Sequence, residues 1–445
     1  MRGPLPQAGE KERSGPLAPR SGERGRRLAY AIVFALAVAG CQRDINLLSP
    51  PDGGAAGAGG GAGSSPGGAG GSATGGASGA GGAGGTLACS GLGPPIVLPT
   101  STGAPCAAAL ASRGHRFLLC SCGDMTAPAR IRSDAFDSAN PAVIDETAAA
   151  YGVNGSLNAL GEMRSAGAFY VAGANGVTAA TDFRTGTSLR VGGPMTMTSS
   201  DNADIGGDAY INGNVTGNVR VSGTLHVPAG AALGGGVEKG ALVNEPVAVP
   251  MPCDCRANFV ETMDAITAAA ASNADAAIGL SPTELESVLL PKIIELSCGS
   301  YYLTAVDATA AVTLVVHGRA LLAVAGDVTI RNGFAVQLDP SAELDLLIGG
   351  RLATQNGGTF GATIAPARFR VWIAGTSSVV FDGAPWIGAV VHAPAAAVTA
   401  AAGLPLSGSL LAGSISIGAD SMLHYDRAIL EAGTVCGEPA AAVVP

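Results

Sequence analysis

The sequence predicts an all-β protein whose main domain is a single-stranded β-solenoid (a β-helix-like coil), stapled by disulfides and interrupted by a short helical insertion. Three observations predict this fold. Short apolar strands recur and end in a small residue and a glycine, aromatic residues make up only 4% of the chain, and Asp, Asn and Gly cluster between the strands. Strands of β-branched residues form ladders, and small residues after them let neighbouring turns approach. A β-sandwich with many hairpins is the alternative fold.

The repeated signature is an apolar residue, then Ala or Gly, then Gly. Its copies fall into two blocks, and most neighbouring copies within a block are separated by roughly one structural repeat of ~20–25 residues, as in stacked repeat architectures. The seven copies begin at Val171, Val191, Ile205, Val324, Ile348, Ile373 and Leu411.

Composition excludes several classes of protein. The 445 residues include 25 Lys+Arg and 34 Asp+Glu, a formal net charge of −9, which argues against a nucleic-acid-binding protein. The 67 glycines keep no strict three-residue period, so the chain is not collagen. Their abundance, with few Lys and Glu, also excludes a long coiled coil.

Residues 1–40 have the features of a lipoprotein signal peptide. Several arginines precede an apolar run over residues 28–39, which is too short to span a bilayer of ~30 Å. The run ends in Val38-Ala39-Gly40-Cys41, which resembles the lipobox of bacterial lipoproteins. That resemblance implies cleavage before Cys41 and lipidation of Cys41, and Gln42 after it favours the outer membrane. A plain signal peptide with a chance cysteine is the alternative.

A Gly/Ala/Ser-rich tether follows over residues 41–86. Between Gly53 and Gly85 it contains 18 glycines and no charge, a composition that cannot bury enough apolar surface to fold. We expect a spacer that holds a folded domain away from the membrane. Beyond it we expect a Cys-containing N-terminal cap over 87–135, the solenoid over 136–436 and a tail over 437–445.

Eight cysteines remain once Cys41 is lipidated, and an even number in an exported protein indicates disulfides. We expect the first four to pair within the N-terminal cap, and Cys253 and Cys255 to join Cys298 and Cys436. A thiolate metal site is the alternative, but no C-x-x-C pair is present, so neither a metal nor another cofactor is expected. The candidates are Cys89, Cys106, Cys120, Cys122, Cys253, Cys255, Cys298 and Cys436.

A helical insertion is expected at about 256–290, between the two blocks of repeats. Apolar residues there recur on one side of a helix, and Ser281-Pro282-Thr283-Glu284 has the pattern of a capping box with proline at the first helical position. Such an insertion could cover an open face or edge of the solenoid. A binding role for the helix is the alternative.

Roughly residues 136–436 resemble an uncharacterised domain of Gly-rich surface lipoproteins from GC-rich Gram-negative bacteria. The resemblance rests on Pro252-Cys253-Asp254-Cys255, on Ser297-Cys298-Gly299-Ser300-Tyr301-Tyr302, on the Val-Ala-Gly-Asp turn and on His424-Tyr425-Asp426. It implies a location and a fold but no chemistry. Separately, Asp204–Val227 resembles the short turns of bactofilins, which form polymeric scaffolds.

Two polar clusters are candidate sites. Asp339, Glu343 and Asp345 could supply the paired carboxyls that glycoside hydrolysis requires, or they could simply be solvated turn residues. His424 and Asp426 are two residues apart and would share one face of a strand, either as an acid–base pair or as a pair that closes the last turn.

We therefore expect a lipid-anchored protein of the cell envelope, at the outer membrane and facing the periplasm or the cell surface, with a structural or adhesive role and no catalysis. Its expected partners are the membrane, through the anchor, and a surface polysaccharide or an envelope protein, but no nucleic acid. One alternative is a β-helix that binds or cleaves polysaccharide. A second alternative is an envelope scaffold that self-associates through the solenoid ends.

Overall fold

The computed structural model describes residues 114–141, 145–255 and 259–432, with backbone only for 259–261. These residues form a stacked parallel β-solenoid of about 13 turns, so the predicted fold class is confirmed. The predicted signal peptide, tether and tail, and with them Cys41, Cys89, Cys106 and Cys436, lie outside the described residues. Among the described residues, no helix combines the length and the apolar character needed to cross a membrane.

Each turn of the solenoid contributes a strand to three parallel sheets, which we call A, B and C. Sheet A contains β1 Leu119–Ser121, β4 Tyr151–Val153, β7 Phe169–Val171, β10 Leu189–Val191, β13 Ala209–Ile211, β18 Gly299–Leu303, β21 Arg319–Val324, β24 Glu343–Ile348 and β27 Phe369–Ile373. Sheet B contains β2 Met125–Ala127, β5 Leu157–Ala159, β8 Val177–Ala179, β11 Met195–Met197, β14 Val215–Thr216, β19 Val306–Ala308, β22 Val328–Ile330, β25 Leu352–Thr354 and β28 Val379–Phe381.

Sheet C contains β3 Ile131–Phe136, β6 Met163–Ser165, β9 Phe183–Thr185, β12 Asn202–Ile205, β17 Lys292–Leu296, β20 Val312–Val316, β23 Phe334–Leu338, β26 Thr359–Gly361 and β31 Ser421–Asp426. Four long strands bend from one sheet into the next: β15 Asn218–Val227, β16 Val237–Asn244, β29 Trp386–Ala400 and β30 Leu406–Ile417.

The order of turns along the solenoid differs from their order in the sequence. Strand β1 lies between β4, which follows it in the chain, and β30, which belongs to the last part of the described chain. Residues 119–245 wind from this junction to one end, and residues 285–426 wind from the other end back to the junction. We call these the N-terminal half and the C-terminal half. The two halves form one continuous solenoid. Along its axis the turns of the C-terminal half come first and those of the N-terminal half follow, which is the reverse of their order in the sequence.

The core is a column of inward-facing side chains in the expected alternation. Three-residue strands such as Phe169–Val171 bury their first and third residues and leave the second partly exposed. Aromatic rings stack on one another in successive turns, with Tyr151 and Phe169 centroids 4.5 Å apart. The repeated glycines allow close approach of neighbouring turns, because a Cβ on Gly173 would lie 2.3 Å from the backbone of Gly155.

The predicted helical insertion is only partly helical. Helix α1 (Phe259–Ala271) packs against sheet A of the C-terminal half, where Ile266 and Ala269 are buried. Helix α2 (Asp275–Ile278) is a single turn that ends at Gly279 in the left-handed conformation. The prediction that a helix begins with a capping box at Ser281–Glu284 was wrong, because this segment forms turns. Its neighbour Leu285 accepts a hydrogen bond from the Asp307 N–H at the edge of sheet B.

The solenoid begins earlier in the chain than predicted. Residues 119–135, which were placed in an N-terminal cap, belong to a full turn of the solenoid that is paired on both sides. The expected disulfide grouping was also wrong, because Cys120 is bonded to Cys253 and Cys122 to Cys255. Cys120 in β1 and Cys122 just after it are therefore joined to two cysteines of the chain that returns from the N-terminal half. Cys298 is also in a disulfide, and its partner lies outside the described residues.

The two ends of the solenoid differ, since one is covered and the other is open. In the C-terminal half, residues 274–288 hydrogen-bond the outer edges of sheets A and B. In the N-terminal half the last strand, β16, has an exposed edge. There Lys239 and Asn244 are in register with the buried Val221 and Val227 of the turn below. Polar side chains at axis-facing positions discourage a further strand from stacking on this edge.

Candidate functional site

The predicted carboxylate triad is divided between two separate sets of partners. Asp339 is exposed and bonds to the His317 Nδ1 at 3.0 Å. Glu343 and Asp345 instead share Arg370, whose guanidinium is 2.8 Å from the Glu343 Oε2 and makes two bonds to Asp345. The three carboxyls thus do not form a shared open cleft, and Asp345, which was expected to be exposed, is buried.

The Asp345–Arg370 pair is a buried, bidentate ion pair on the outer side of sheet A. The Trp372 indole N–H also donates to the Asp345 Oδ1 at 2.8 Å. Burial lowers the pKa of the Arg370 guanidinium, but the charge and hydrogen bonds of Asp345 and Glu343 outweigh it and raise the pKa overall. This cluster is satisfied internally, which suits a structural role better than acid–base chemistry.

The His424-Tyr425-Asp426 cluster is also separated by the fold. The His424 Nδ1 lies 2.5 Å from the Asp134 Oδ1, not near Asp426. Asp426 is buried and accepts hydrogen bonds from the backbone of Ala367 and Ala428 and from Ser138. His424 and Asp426 therefore form neither an acid–base pair nor a pair that closes the last turn, because His424 bonds to Asp134 and the Asp426 side chain caps the following 3-10 turn.

Tyr425 helps to hold the junction between the halves. Its hydroxyl donates to the His115 carbonyl oxygen at 2.8 Å, and burial raises the pKa of that hydroxyl. The His115 Nε2 is 3.2 Å from the His392 Nδ1, and the His115 Nδ1 is 3.1 Å from the Ser409 hydroxyl. In the sequence these histidines looked scattered. They are 277 residues apart, and no local pattern could have joined them.

A groove of about 690 Å³ crosses the outer face of sheet C in the N-terminal half. Its floor is a ladder of charged side chains in register from turn to turn: Arg132, Arg164, Arg184, Asp204 and Arg220. Glu146 from a neighbouring loop, and small residues such as Ala166, Gly186 and Gly206, complete the lining. This ladder was not predicted, although Arg164, Arg184 and Asp204 recur in the sequence at a constant interval of one full turn.

Acidic residues alternate with the arginines along this ladder. Arg164 bridges Glu162 and Asp182 at 2.7 and 3.0 Å, and Arg184 bridges Asp182 and Asp204 at 3.5 and 3.3 Å. Arg132 and Arg220 extend the series to either side, and Arg220 also reaches Glu238. The arginine side chains are all more than a third exposed, so such pairs contribute little to stability.

Exposed apolar side chains continue the line of the ladder beyond the junction. Met422 is in register with Arg132 and is 43% exposed. Two turns further along the same face lies Trp386, which is 44% exposed. Its ring stacks on that of His424, with centroids 6.0 Å apart and planes 12° apart. The face thus presents an aromatic ring, a thioether and then a run of paired charges.

No group of His, Cys, Asp and Glu among the described residues could hold a metal ion. Comparison with curated proteins and with solved structures found no match. An uncharacterised domain is found, as expected, but it covers α1 and the C-terminal half rather than 136–436. Residues 258–432 match the family model of a domain of unknown function, DUF7305.

Proposed function

We propose that this protein is a lipid-anchored component of the cell envelope, whose solenoid has a structural or adhesive role without catalysis. The observation that carries this proposal is the construction of the solenoid, whose returning chain is fastened at mid-length by two disulfides. Disulfides persist in oxidising compartments outside the cytosol. The lipobox at Cys41 and the Gly-rich tether supply a means of attachment.

The occupied carboxylates support a non-catalytic role over polysaccharide cleavage. A glycoside hydrolase needs one carboxyl that can carry a proton and a second that faces the sugar. Here Glu343 and Asp345 both neutralise Arg370, and Asp339 bonds to His317. The ends of the solenoid support a single unit over a scaffold polymer, since one end is covered and the other presents Lys239 and Asn244.

Attachment is tested by replacing the acylated cysteine. We expect the full-length chain to enter the membrane fraction and to incorporate a labelled fatty acid, and Cys41→Ser to lose both properties. Gln42→Asp is the matched control, because it leaves the thiol in place. Digestion of intact cells with protease then distinguishes a surface-facing domain from a periplasmic one. Equal labelling of Cys41→Ser and the parent chain contradicts the proposal.

A further inference from the structure

We infer that the outer face of sheet C, from Trp386 to Arg220, binds an uncharged linear polysaccharide. This inference rests on the proposed adhesive role and names its ligand. From Trp386 through Met422 and Arg132 to Arg220, the line of side chains crosses seven steps between neighbouring strands. At ~4.8 Å per step it is ~34 Å long, which suits an extended polymer rather than a small molecule.

The charge balance of the groove selects the class of polymer. Four arginines and three carboxylates, Asp134, Glu146 and Asp204, line the groove. Each of the four arginines is ion-paired, through Glu162, Asp182, Asp204 and Glu238. Because each guanidinium group is already paired with a carboxylate, a polyanion would have to compete with these ion pairs. Sugar hydroxyls, in contrast, both donate and accept, so they can bond carboxylates and guanidinium groups alike. An uncharged glycan therefore fits this alternation best.

The side chains that line the groove repeat from turn to turn, as the sugar units of a linear polysaccharide repeat along its chain. Because the strands are in register, the same guanidinium–carboxylate pair recurs at each turn through Arg164 and Arg184. At the junction side, Trp386 offers an exposed ring face held in place by its stacking on His424. Aromatic side chains combine a large apolar surface with a preferred stacking geometry, which suits the C–H face of a sugar ring.

The test is affinity electrophoresis of the full-length protein in native gels that contain a single polysaccharide. The probes are neutral linear β-glucan, α-glucan and mannan, with polygalacturonate and heparin as the polyanions. We expect retardation by at least one neutral polymer. Trp386→Ala should raise the dissociation constant for that polymer about tenfold.

Paired charge variants separate an uncharged ligand from a charged one. For an uncharged glycan, Arg164→Gln/Arg184→Gln and Glu162→Gln/Asp204→Asn should each weaken binding by about tenfold, because a neutral amide forms weaker hydrogen bonds with sugar hydroxyls than a guanidinium group or a carboxylate does. For a polyanion the two variants would act in opposite directions. Arg351→Gln is the matched control, since it removes an exposed, ion-paired arginine outside the groove.

Three results overturn the inference. They are the absence of retardation by every neutral polymer, retardation by the polyanions alone, and an equal loss of binding in Arg351→Gln. None of these affects membrane attachment, so the proposed function would stand if Cys41→Ser still behaved as expected. Conversely, a chain that bound glycan but took up no fatty acid would refute the anchor and leave this groove intact.

Discussion

The two halves of the solenoid share one cross-section but use their outer faces differently. In the N-terminal half, strands of mostly three residues leave a bare face on sheet C, where Arg132, Arg164 and Arg184 are exposed. In the C-terminal half, helix α1 covers sheet A, and the one arginine of β27, Arg370, is buried. The same line that carries arginines in one half carries Thr359 and Trp386 in the other. The inward-facing residues specify the solenoid, whereas the residues on its outer faces can differ between the two halves.

The two disulfides that fasten the returning chain at mid-length should give the largest effect on stability. Each disulfide closes a loop of 133 residues, for which chain entropy predicts about 5 kcal/mol. Because the two bonds are adjacent and close almost the same loop, we expect Cys120→Ser/Cys253→Ser to lose less than about 1 kcal/mol. Removing all four cysteines should lose most of the roughly 5 kcal/mol. Urea denaturation measures both variants, and additive losses from the two pairs would contradict the shared-loop explanation.

The second largest effect should be the difference in stability loss between replacing a buried arginine and replacing an exposed one. Arg370→Ala leaves the buried Asp345 without its counter-charge and should destabilise the protein by about 4 kcal/mol. Arg184→Ala, the matched control from the exposed ladder, should change the free energy of unfolding by less than about 0.5 kcal/mol. Thermal and urea unfolding of both variants provide the measurement. Similar losses in the two would mean that the ladder is part of the fold rather than surface chemistry.

At the open end of the N-terminal half, the charge of Lys239 should prevent the exposed edge of β16 from associating with another chain. Replacing Lys239 by Val restores the apolar residue that the turn below has at Val221. We expect Lys239→Val to associate at concentrations where the parent chain remains a single species, because an apolar exposed edge invites pairing. Light scattering at increasing concentration tests this. Lys239→Gln should behave like the parent chain, and association of the parent itself would favour the scaffold hypothesis.

The covered end of the C-terminal half should show the smallest effect. Asp275 is buried and accepts a hydrogen bond from the Tyr302 N–H, and its pKa is raised by burial. A raised pKa means that the folded state holds the proton of Asp275 more tightly than the unfolded state does. The protonated carboxyl therefore contributes stability that is fully present below pH ~3.9, the pKa of an unfolded Asp. That stability is lost as the pH rises through the raised pKa of the folded state. Asp275→Asn should therefore stabilise the protein at pH 7 by less than about 1 kcal/mol, with a smaller gain near pH 4. A gain that grows on acidification would contradict this sign.

The coil was predictable from the sequence because its cause is local. Each copy of the apolar-small-Gly signature marks the point where one backbone passes close to the next, as at Gly173. The order of turns was not predictable, since successive turns bury similar residues and nothing in Leu119–Ser121 specifies Leu410 as a neighbour. The disulfide pairing failed for the same reason. It depends on where the chain returns after Asn244, which is a property of the permuted stacking.

The candidate sites show the same division between local and distant causes. The alternation of Leu344-Asp345-Leu346 is enough to place Asp345 on the outer side of its strand, but only the fold reveals that Arg370 of the next turn meets it there. The arginine ladder could have been found from the constant interval that separates Arg164, Arg184 and Asp204 in the sequence. The contact between His115 and His392 could not, because it exists only where the first turn meets the last.

The entry of the chain at mid-length has a mechanical consequence. A strand at the end of a solenoid can be peeled off one hydrogen bond at a time. Strand β1, just after Gly114, is instead bonded on both sides, and the cross-links at Cys120 and Cys122 lie beside it. A pull on the segment before Gly114 would therefore load two ladders and two covalent bonds together. An attached protein built this way should resist tension far better than one held by its first or last turn.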